Sequence, residues 1–263
     1  MNDPGHSEFV RYYETESLSD KTVQRFRAVK AMVERVLRSR GVRANALEMA
    51  DIGCGVGMQC LDWARDGHHV HGLDINAELV ALGRERARQQ GMELDLRVGT
   101  ATALPWADAS MDVCLAPELL EHVPDWRGCV REFSRILRPG GVLYVSTSNS
   151  LCPIQNEFDL PLYSWYPASM KRRYERLAVT TRPELVSHAQ YPAVNWFTFY
   201  SLRRQLRGMG FDTVLDRFDL MDIDAHGLPV KAAVRGIRAL PPLRLLGQMA
   251  TEYTVALAFR TAA

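Results

Sequence analysis

The sequence predicts an α/β fold, a doubly wound and mostly parallel seven-stranded sheet with helical inserts after strands 5 and 6. Three observations favour this fold. Short apolar runs alternate with amphipathic runs of helical length between residues 45 and 150. The first predicted strand leads into a glycine-rich turn, and the second ends in an acidic residue. In doubly wound sheets a ligand lies across the carboxyl ends of such strands.

Capping signals and apolar spacing place the elements of the first half. Ser19 is expected to cap a helix that reaches about Arg40, where Gly41 ends the apolar pattern. The elements expected next are a strand to Asp51, a helix after Gly57, a strand over 70–74, a helix over 77–90 and a strand over 94–98. Residues 1–41 are expected to form a helical cap on a single domain that spans 1–263.

The second half departs from simple alternation because two inserts interrupt it. The insert 150–196 is rich in aromatic and basic residues, and the insert 222–251 is amphipathic. We expect the first to form a lid and the second to cover the sheet or a partner subunit, with membrane contact as the alternative for both. The regular elements expected around them are a strand over 111–116, a helix over 126–137, a strand over 142–146 after the Pro139-Gly140-Gly141 turn, and strands over 212–218 and 253–259.

The turn over 51–57 has the composition of a nucleotide site. Its glycines let the backbone approach a ligand, and they open a helix whose first amide groups attract an anion. Asp74, at the end of the second strand, can accept hydrogen bonds from ribose hydroxyls. The structural alternatives are a tight turn for the glycines and a helix cap for Asp74, although its neighbour Asn76 could cap that helix instead.

The spacing within the turn argues against a nicotinamide cofactor. Dinucleotide folds favour G-x-G-x-x-G, whereas the third glycine here comes one residue early and Met58 takes the expected place. The carboxylate of Asp51 would repel a pyrophosphate, but it favours a ligand that carries a cationic ammonium and sulfonium. S-adenosylmethionine is such a ligand. A nicotinamide-dependent oxidoreductase is the disfavoured alternative.

Further sequence blocks occur in the order typical of one enzyme family. They are Ala103-Leu104-Pro105-Trp106, Ser110-Met111-Asp112-Val113, Leu120-Glu121-His122-Val123, Arg138-Pro139-Gly140-Gly141, and a Phe197-Thr198 helix start closed by Gly210-Phe211. Together with the 51–57 turn and Asp74, they make the chain resemble the class I S-adenosylmethionine-dependent methyltransferases, in particular the ubiquinone-biosynthesis branch. The resemblance implies a Rossmann-like fold and methyl transfer to a small molecule.

The resemblance also implies a set of cofactor-binding positions: Asp51, Gly53, Cys54, Gly55, Gly57, Asp74, Ile75, Thr100, Ala101 and Pro117. Ile75 is expected to pack on the adenine. Thr100 departs from the family, which commonly has an acid there for the adenine amino group, and a hydroxyl accepts a weaker hydrogen bond than a carboxylate does. The departure concerns how the adenine is held and leaves the class of cofactor unchanged.

Methyl transfer to a hydroxyl needs a base, and His122 is the best placed candidate. It follows the fourth predicted strand, and an imidazole accepts a proton near neutral pH. A structural role for the Glu121-His122 step is the alternative, and His188 and His226 in the inserts are weaker candidates. No metal is expected, because relatives that use magnesium gather an Asp and an Asp-Asn pair, and Asn149 has no acidic neighbour.

Aromatic residues are the candidates for the acceptor pocket: Tyr12, Tyr13, Trp106, Trp165, Tyr166 and Trp196. Aromatic side chains line apolar pockets as readily as they fill cores, so packing is the alternative for each. Oxygen is the expected accepting atom, on a lipophilic, aromatic or lipid-linked acceptor. The alternatives are carbon or nitrogen methylation of a natural product or glycan, and a protein that binds the cofactor without turnover.

Composition limits the partners and the compartment. The 263 residues include 32 Lys and Arg against 31 Asp and Glu, and this net charge of +1 does not favour nucleic acid as a partner. The five cysteines lack metal-binding spacing and are expected as free thiols. No signal-peptide pattern and no apolar run of about 18 residues occur. We expect a cytoplasmic monomer or homodimer, with a peripheral contact at the inner face of the membrane as the alternative.

Overall fold

The structure is a computed structural model that describes residues 15, 18–42, 45–186 and 192–262. Its strands are β1 (Glu48–Ile52), β2 (His69–Asp74), β3 (Asp95–Val98), β4 (Met111–Pro117), β5 (Leu137–Ser148), β6 (Phe211–Asp216) and β7 (Tyr253–Arg260). Its helices are α1 (Asp20–Ser39), α2 (Met58–Arg65), α3 (Ala77–Gln89), α4 (Trp126–Ile136), α5 (Ala168–Thr180), α6 (Phe199–Arg207), α7 (Arg217–Leu220), α8 (Leu228–Ala239) and α9 (Pro241–Met249). Short 3-10 turns lie at Tyr163–Trp165 and Pro183–Leu185.

The described strands form one seven-stranded sheet in the order β3-β2-β1-β4-β5-β7-β6, with one strand pair antiparallel. β1 pairs in parallel with both β2 and β4, and β2 pairs in parallel with β3. The strand order reverses between β1 and β4, and ligands of open α/β sheets bind outside the carboxyl ends of the strands at such a reversal. This architecture confirms the predicted doubly wound, mostly parallel fold.

The chain divides into two compact units. Unit 1 comprises 1–117, 125–144 and 259–263, and unit 2 comprises 118–124 and 145–258. Unit 1 therefore contains the glycine turn, and unit 2 contains the turn after β4 together with both inserts. Because β5 and β7 each supply residues to both units, this division does not test the prediction of a single domain.

Local capping explains where the helices begin. Ser19 accepts a hydrogen bond from the amide of Thr22 and caps α1, as predicted. Asn76 caps α3 by accepting from two amides of its first turn. Thr198 and Ser201 form a reciprocal capping box at the start of α6. These caps explain why the boundaries of α1 and α3 agree with the sequence prediction to within about a residue.

Three features of the second half differ from the prediction. β5 begins at Leu137 and not at 142, because the Pro139-Gly140-Gly141 segment continues the strand. β6 ends at Asp216, before the expected 218, since the Asp216 side chain caps α7 by accepting from two backbone amides. The helix α9 was not expected. It begins at Pro241, and a proline fits the first position of a helix because the backbone amide there has no hydrogen-bond partner within the helix.

Both predicted inserts are helical. The insert 150–196 contains α5 and the two 3-10 turns, and the insert 222–251 contains α8 and α9. Within the described ranges, no helix has both the length and the apolar character needed to span a membrane. The roles of the inserts as a lid or a cover stay predictions.

Candidate active site

The turn between β1 and α2 holds its three glycines in the left-handed region of the backbone. Gly53, Gly55 and Gly57 have φ angles of +77°, +52° and +69°. The amides of Gly53 and Cys54 donate to the carbonyl oxygen of Leu73 at 2.8 and 3.1 Å, which ties the turn to β2. Other residues would adopt these φ angles only with strain. The turn is therefore a backbone structure that the glycines make possible.

Gly57 explains why the third glycine comes one residue early. It is the N-cap of α2 and makes no side-chain cap, so amides in the first turn of the helix keep donors for a ligand. A Cβ atom on Gly57 would lie 3.0 Å from Cδ1 of Leu96. Gly72 in β2 is equally restricted, because its Cβ would lie 2.5 Å from Leu96 and 2.9 Å from Sγ of Cys54. The prediction missed Gly72, since a glycine inside a strand does not reveal what packs on it.

Asp74 ends β2 with its carboxylate directed at the turn. One oxygen accepts from the amide of Gly55 at 2.8 Å, and the other accepts from the amide of Asn76 at 2.8 Å. Each oxygen can accept a further hydrogen bond, which is enough for the two hydroxyls of a ribose. Burial raises the pKa of Asp74. Because Asn76 caps α3, the carboxylate of Asp74 is not needed as a helix cap.

Asp51 lies near the carboxyl end of β1 and is only 2% exposed. Its Oδ1 accepts from Nε2 of Gln59 at 3.1 Å, and its Oδ2 accepts from Sγ of Cys60 at 3.3 Å. Burial raises the pKa of Asp51 from 3.8 to about 6, so the charged form is held at neutral pH against a desolvation penalty. A ligand with positive charge near the turn would offset part of that penalty.

The remaining predicted cofactor residues lie just beyond β2 and β3 and at the end of β4. Ile75 is 64% exposed directly after β2, so its apolar side chain is available to a ligand. Thr100 is exposed, and its hydroxyl bonds the hydroxyl of Thr102 at 2.9 Å. Ala101 is buried and Pro117 is half-buried. The contacts of these residues with a cofactor stay predictions.

The turn that carries His122 follows β4 and belongs to unit 2. Backbone amides of 194–195 donate to the carbonyl oxygen of Glu121 at 2.7 and 3.0 Å. The side-chain Nδ2 of Asn195 donates at 2.9 and 2.7 Å to two further carbonyl oxygens, those of Leu120 and Val123. Four hydrogen bonds from one short segment therefore fix the backbone on both sides of His122.

Two carboxylates accompany His122, and we call Glu121, His122 and Glu157 the His122 cluster. Nε2 of His122 lies 3.9 Å from Oε2 of Glu157. Glu121 is fully buried: its Oε1 accepts from the amide of Ser148 at 3.2 Å, whereas its Oε2 has no partner among the described residues. Burial, and then the nearby charge of Glu157, raise the pKa of Glu121 well above its usual range. The cluster therefore combines an imidazole with two carboxyl groups, and burial disfavours the charged form of one of them, Glu121.

The ligand-type atoms of the His122 cluster all lie within 4.8 Å of one another. A cation and a proton are two ways to neutralise neighbouring carboxylates, and carboxylate oxygens are donors that divalent cations accept. The sequence predicts no metal, and this stays a prediction.

The predicted substrate aromatics occupy several environments. Trp106, in unit 1, is 8% exposed, and its ring centroid lies 6.0 Å from that of His71. Trp165, in unit 2, is 52% exposed, and its Nε1 donates to the carbonyl oxygen of Leu151 at 3.1 Å. The histidine candidate His226 is exposed. Three further candidates lie outside the described residues: Tyr12, Tyr13 and His188.

Tyr166 and Trp196 pack around the buried ring of Tyr163, with centroids 5.3 and 5.5 Å from it. Nζ of Lys171 lies 4.2 Å from the ring centroid of Trp196 and donates to the carbonyl oxygen of Ser164 at 2.8 Å. Burial lowers the pKa of Lys171 to about 8. Tyr166 and Trp196 thus make packing contacts within the insert, and a role in substrate binding stays a prediction.

A known family matches the central part of the chain. The family described as a methyltransferase domain matches residues 50–145, which run from β1 into β5. The match covers the glycine turn, Asp74 and His122. It confirms the resemblance drawn from the sequence blocks, and it agrees with S-adenosylmethionine as the cofactor.

Two curated relatives are similar to this chain over part of their length. The ubiquinone biosynthesis O-methyltransferase of Brucella anthropi is 35% identical over 146 residues, which are 53% of this chain and 56% of that protein. The ubiquinone biosynthesis O-methyltransferase of Sinorhizobium medicae is 39% identical over 103 residues, which are 39% of this chain and 42% of that protein. The chain thus spans about half the length of the curated relatives it matches.

Solved structures share the fold. An S-adenosylmethionine-dependent methyltransferase of Methanosarcina mazei has a TM-score of 0.54 at 22% identity, covering 86% of this chain and 98% of that one. The [4+2]-cyclase SpnF has a TM-score of 0.55 at 20% identity, covering 90% of this chain and 82% of that one. Identities this low show the fold alone. Because SpnF is a cyclase, the fold by itself does not decide the reaction.

Proposed function

We propose that this chain, which carries a methyltransferase domain over residues 50–145, transfers a methyl group from S-adenosylmethionine to a hydroxyl of a small molecule, with His122 as the general base. The observation that carries the proposal is the contact of Asp74 with the amide of Gly55 at 2.8 Å. This contact holds a ribose-binding carboxylate against a glycine turn of unusual spacing. Such a pairing is the arrangement that an adenosine cofactor needs.

The residues of unit 1 fit S-adenosylmethionine in charge and in hydrogen-bonding capacity. Asp74 keeps two acceptor positions for the ribose, and Ile75 offers an exposed apolar side chain to the adenine. The first amides of α2 suit the carboxylate of the methionine part, and the buried charge of Asp51 favours its two cationic groups. When bound, the cofactor supplies a methyl group activated by the sulfonium.

His122 supports the choice of a hydroxyl acceptor. A hydroxyl must lose its proton during transfer, and an imidazole near neutral pH can accept it. The His122 side chain is 26% exposed, and the turn that carries it is fixed by four hydrogen bonds. The name O-methyltransferase of the matching relatives points to the same accepting atom.

A methyl-transfer screen tests the proposed function. We would incubate the protein with S-adenosylmethionine labelled in the methyl group and with phenols, sugars and lipid extracts. We expect label in a hydroxyl-bearing acceptor, and the loss of most turnover in His122→Ala. His226→Ala removes the other described histidine candidate, which is exposed in unit 2, and we expect it to keep the wild-type turnover. Unchanged turnover in His122→Ala would place the base elsewhere.

A second candidate is a protein that binds the cofactor without transferring its methyl group. The likeness to SpnF supports this candidate, because a protein named as a cyclase has the same fold and the fold therefore does not require methyl transfer. The screen separates the two: calorimetric binding of S-adenosylmethionine with no labelled product in any acceptor class would support the second candidate.

We propose a lipophilic acceptor reached at an anionic membrane surface, on the evidence of the insert 150–196. Leu162 and Trp165 are 53% and 52% exposed, and Met170 is 42% exposed. Three arginines, Arg172, Arg173 and Arg176, are exposed on α5 beside Met170. Exposed apolar residues next to exposed basic ones are the composition of an interfacial surface.

Vesicle co-sedimentation tests this surface. We expect the protein to sediment with vesicles that contain phosphatidylglycerol, and the Arg172→Glu/Arg176→Glu variant to sediment much less. The variant Lys21→Glu/Arg27→Glu reverses two exposed charges on α1 and gives the same net charge, so it is the matched control. Equal sedimentation of both variants, or none of the wild type, would remove the membrane from the proposal and leave methyl transfer untouched.

A further inference from the structure

We propose that Glu157 is a positioning residue for His122: its carboxylate lies beside the imidazole and carries the negative charge that balances the ring once it has accepted the acceptor's proton. This inference rests on the proposed function and extends it to a residue of the insert 150–196. Its starting point is the separation of 3.9 Å between Nε2 of His122 and Oε2 of Glu157.

The loop that presents Glu157 is built by one side chain. Oε1 of Gln155 accepts from the amides of Glu157 and Phe158, both at 2.8 Å. Nε2 of Gln155 donates to the carbonyl oxygen of Phe158 at 2.6 Å. The ring of Phe158 is buried and stacks on Tyr163 with centroids 4.1 Å apart, which anchors the loop in the insert. These contacts hold the backbone at Glu157 within the insert.

The carboxylate of Glu157 is fixed through one of its oxygens. The hydroxyl of Ser148 donates to Oε1 at 2.7 Å, which leaves Oε2 on the side of His122. The Glu157 side chain is 13% exposed, so solvent screens its charge weakly. Behind it, Glu121 is fully buried, and burial disfavours its charged form, so the more exposed Glu157 is the carboxyl group of the cluster better placed to carry a negative charge.

The distance of 3.9 Å between Nε2 of His122 and Oε2 of Glu157 is longer than a hydrogen bond. An N–H···O hydrogen bond to a carboxylate spans about 2.7–3.2 Å. Nδ1 of His122 is buried and has no partner among the described residues, so Nε2 is the nitrogen on the side of Glu157. At this separation Glu157 makes no hydrogen bond with Nε2, so it does not compete with the acceptor's hydroxyl for that nitrogen.

In this step the acceptor is a hydroxyl. His122 takes the proton at Nε2 as the acceptor's O–H bond breaks, and the oxygen forms its bond to the methyl carbon. The electrons of the methyl carbon's former bond stay on sulfur. The resulting imidazolium then lies beside the carboxylate of Glu157, whose own charge does not change. Stabilising that cation lowers the barrier without any contact between Glu157 and the reacting atoms.

The test combines Glu157→Gln, His122→Ala and the double variant. The glutamine keeps an oxygen for the Ser148 hydroxyl and removes the charge. On an acceptor identified by the labelled screen, we expect Glu157→Gln to lower kcat by about ten- to a hundredfold, with KM and the affinity for S-adenosylmethionine unchanged. The double variant should be no slower than His122→Ala, because Glu157 acts only through His122. Glu184→Gln, at an exposed site of the same insert, is the matched control.

A variant of Ser148 and a test of metal dependence check the same inference independently. Ser148→Ala should reproduce part of the loss, because it frees the carboxylate that the hydroxyl holds. Unchanged kcat in Glu157→Gln, or effects that add to those of His122→Ala, would overturn the inference. A metal dependence would also overturn it: EDTA would abolish turnover, Mg²⁺ would restore it, and Glu157→Gln would need more Mg²⁺ than the wild type. Glu157 would then act on a cation. A wild type that transfers no label contradicts the proposed function itself, which separates the two failures.

Discussion

The glycine turn of unit 1 and the His122 cluster of unit 2 are built in opposite ways. The turn is made of backbone: left-handed glycines, amides of a helix start and one carboxylate at a strand end. The cluster is made of side chains from two separate segments, around 121 and 157, and Ser148 from a third segment donates a hydrogen bond to each of its two carboxyl groups. A backbone site needs particular residues at fixed spacing, whereas a side-chain site needs only the right neighbours in space. This difference predicts that the two regions have separable effects on binding and turnover.

The largest expected effect is a loss of cofactor affinity caused by a change in unit 1. Asp74→Ala removes a charged acceptor of the ribose hydroxyls and its contact with the Gly55 amide. Each such hydrogen bond contributes about 1.5–3 kcal/mol, so the affinity for S-adenosylmethionine should fall at least about a hundredfold. Isothermal titration calorimetry measures this, with Asp108→Ala, an exposed carboxylate of unit 1, as the control. An affinity within about fivefold of the wild type would contradict the ribose role.

Asp51→Asn tests whether the buried carboxylate of Asp51 lowers the free energy of unfolding while it favours cofactor binding. Burial raises the pKa of Asp51 from 3.8 to about 6, so the folded state holds this proton more tightly than the unfolded state does. Its contribution to the free energy of unfolding is therefore fully present below pH 3.8 and is lost as the pH rises through about 6, roughly 3 kcal/mol in all.

Above that window the uncharged Asn should melt at a higher temperature than the wild type and bind S-adenosylmethionine more weakly. Thermal melts across the window, paired with calorimetry, measure both. The stability difference should shrink as the pH falls toward 4, within the window set by the pKa of Asp51. A wild type and a variant with parallel pH dependence would show that Asp51 is not the group responsible.

The smallest expected effect comes from the segment that clamps the His122 turn. Asn195→Ala removes two side-chain hydrogen bonds to backbone carbonyls, worth about 2 kcal/mol together. We expect turnover to fall about tenfold through misplacement of His122, and the affinity for S-adenosylmethionine to stay unchanged. Initial rates and calorimetry measure the two quantities, with the exposed Asn156→Ala as control. Loss of cofactor affinity in Asn195→Ala would mean that the clamp supports both regions.

The same contrast explains what the sequence could predict. The alternation of strands and helices and the turn follow from apolar periodicity and from glycines at fixed spacing, which act locally along the chain. Ser19 and Asn76 as helix caps were readable for the same reason. The late start of the predicted β5 and the unexpected α9 show the limit of this reasoning, since proline and glycine permit more than one local structure.

The partners of His122 could not be predicted in this way. Glu157 comes from an insert with no recognised motif, and Asn195 precedes the α6 block without belonging to it. Their roles depend on contacts across 35 and about 75 residues of sequence, such as the bond from Asn195 to Leu120. A single glutamate or asparagine carries no periodic signal, so only the folded arrangement brings these residues to His122.

One crossed measurement tests the central claim that unit 1 binds the cofactor and the His122 cluster drives transfer. The affinity for S-adenosylmethionine and the initial rate at saturating cofactor are measured for the wild type, Asp74→Ala and His122→Ala. Asp74→Ala should lose affinity and recover much of its rate at saturation, whereas His122→Ala should keep its affinity and lose most of its rate. A His122→Ala variant that loses affinity as Asp74→Ala does, or that keeps the wild-type rate, would contradict the account.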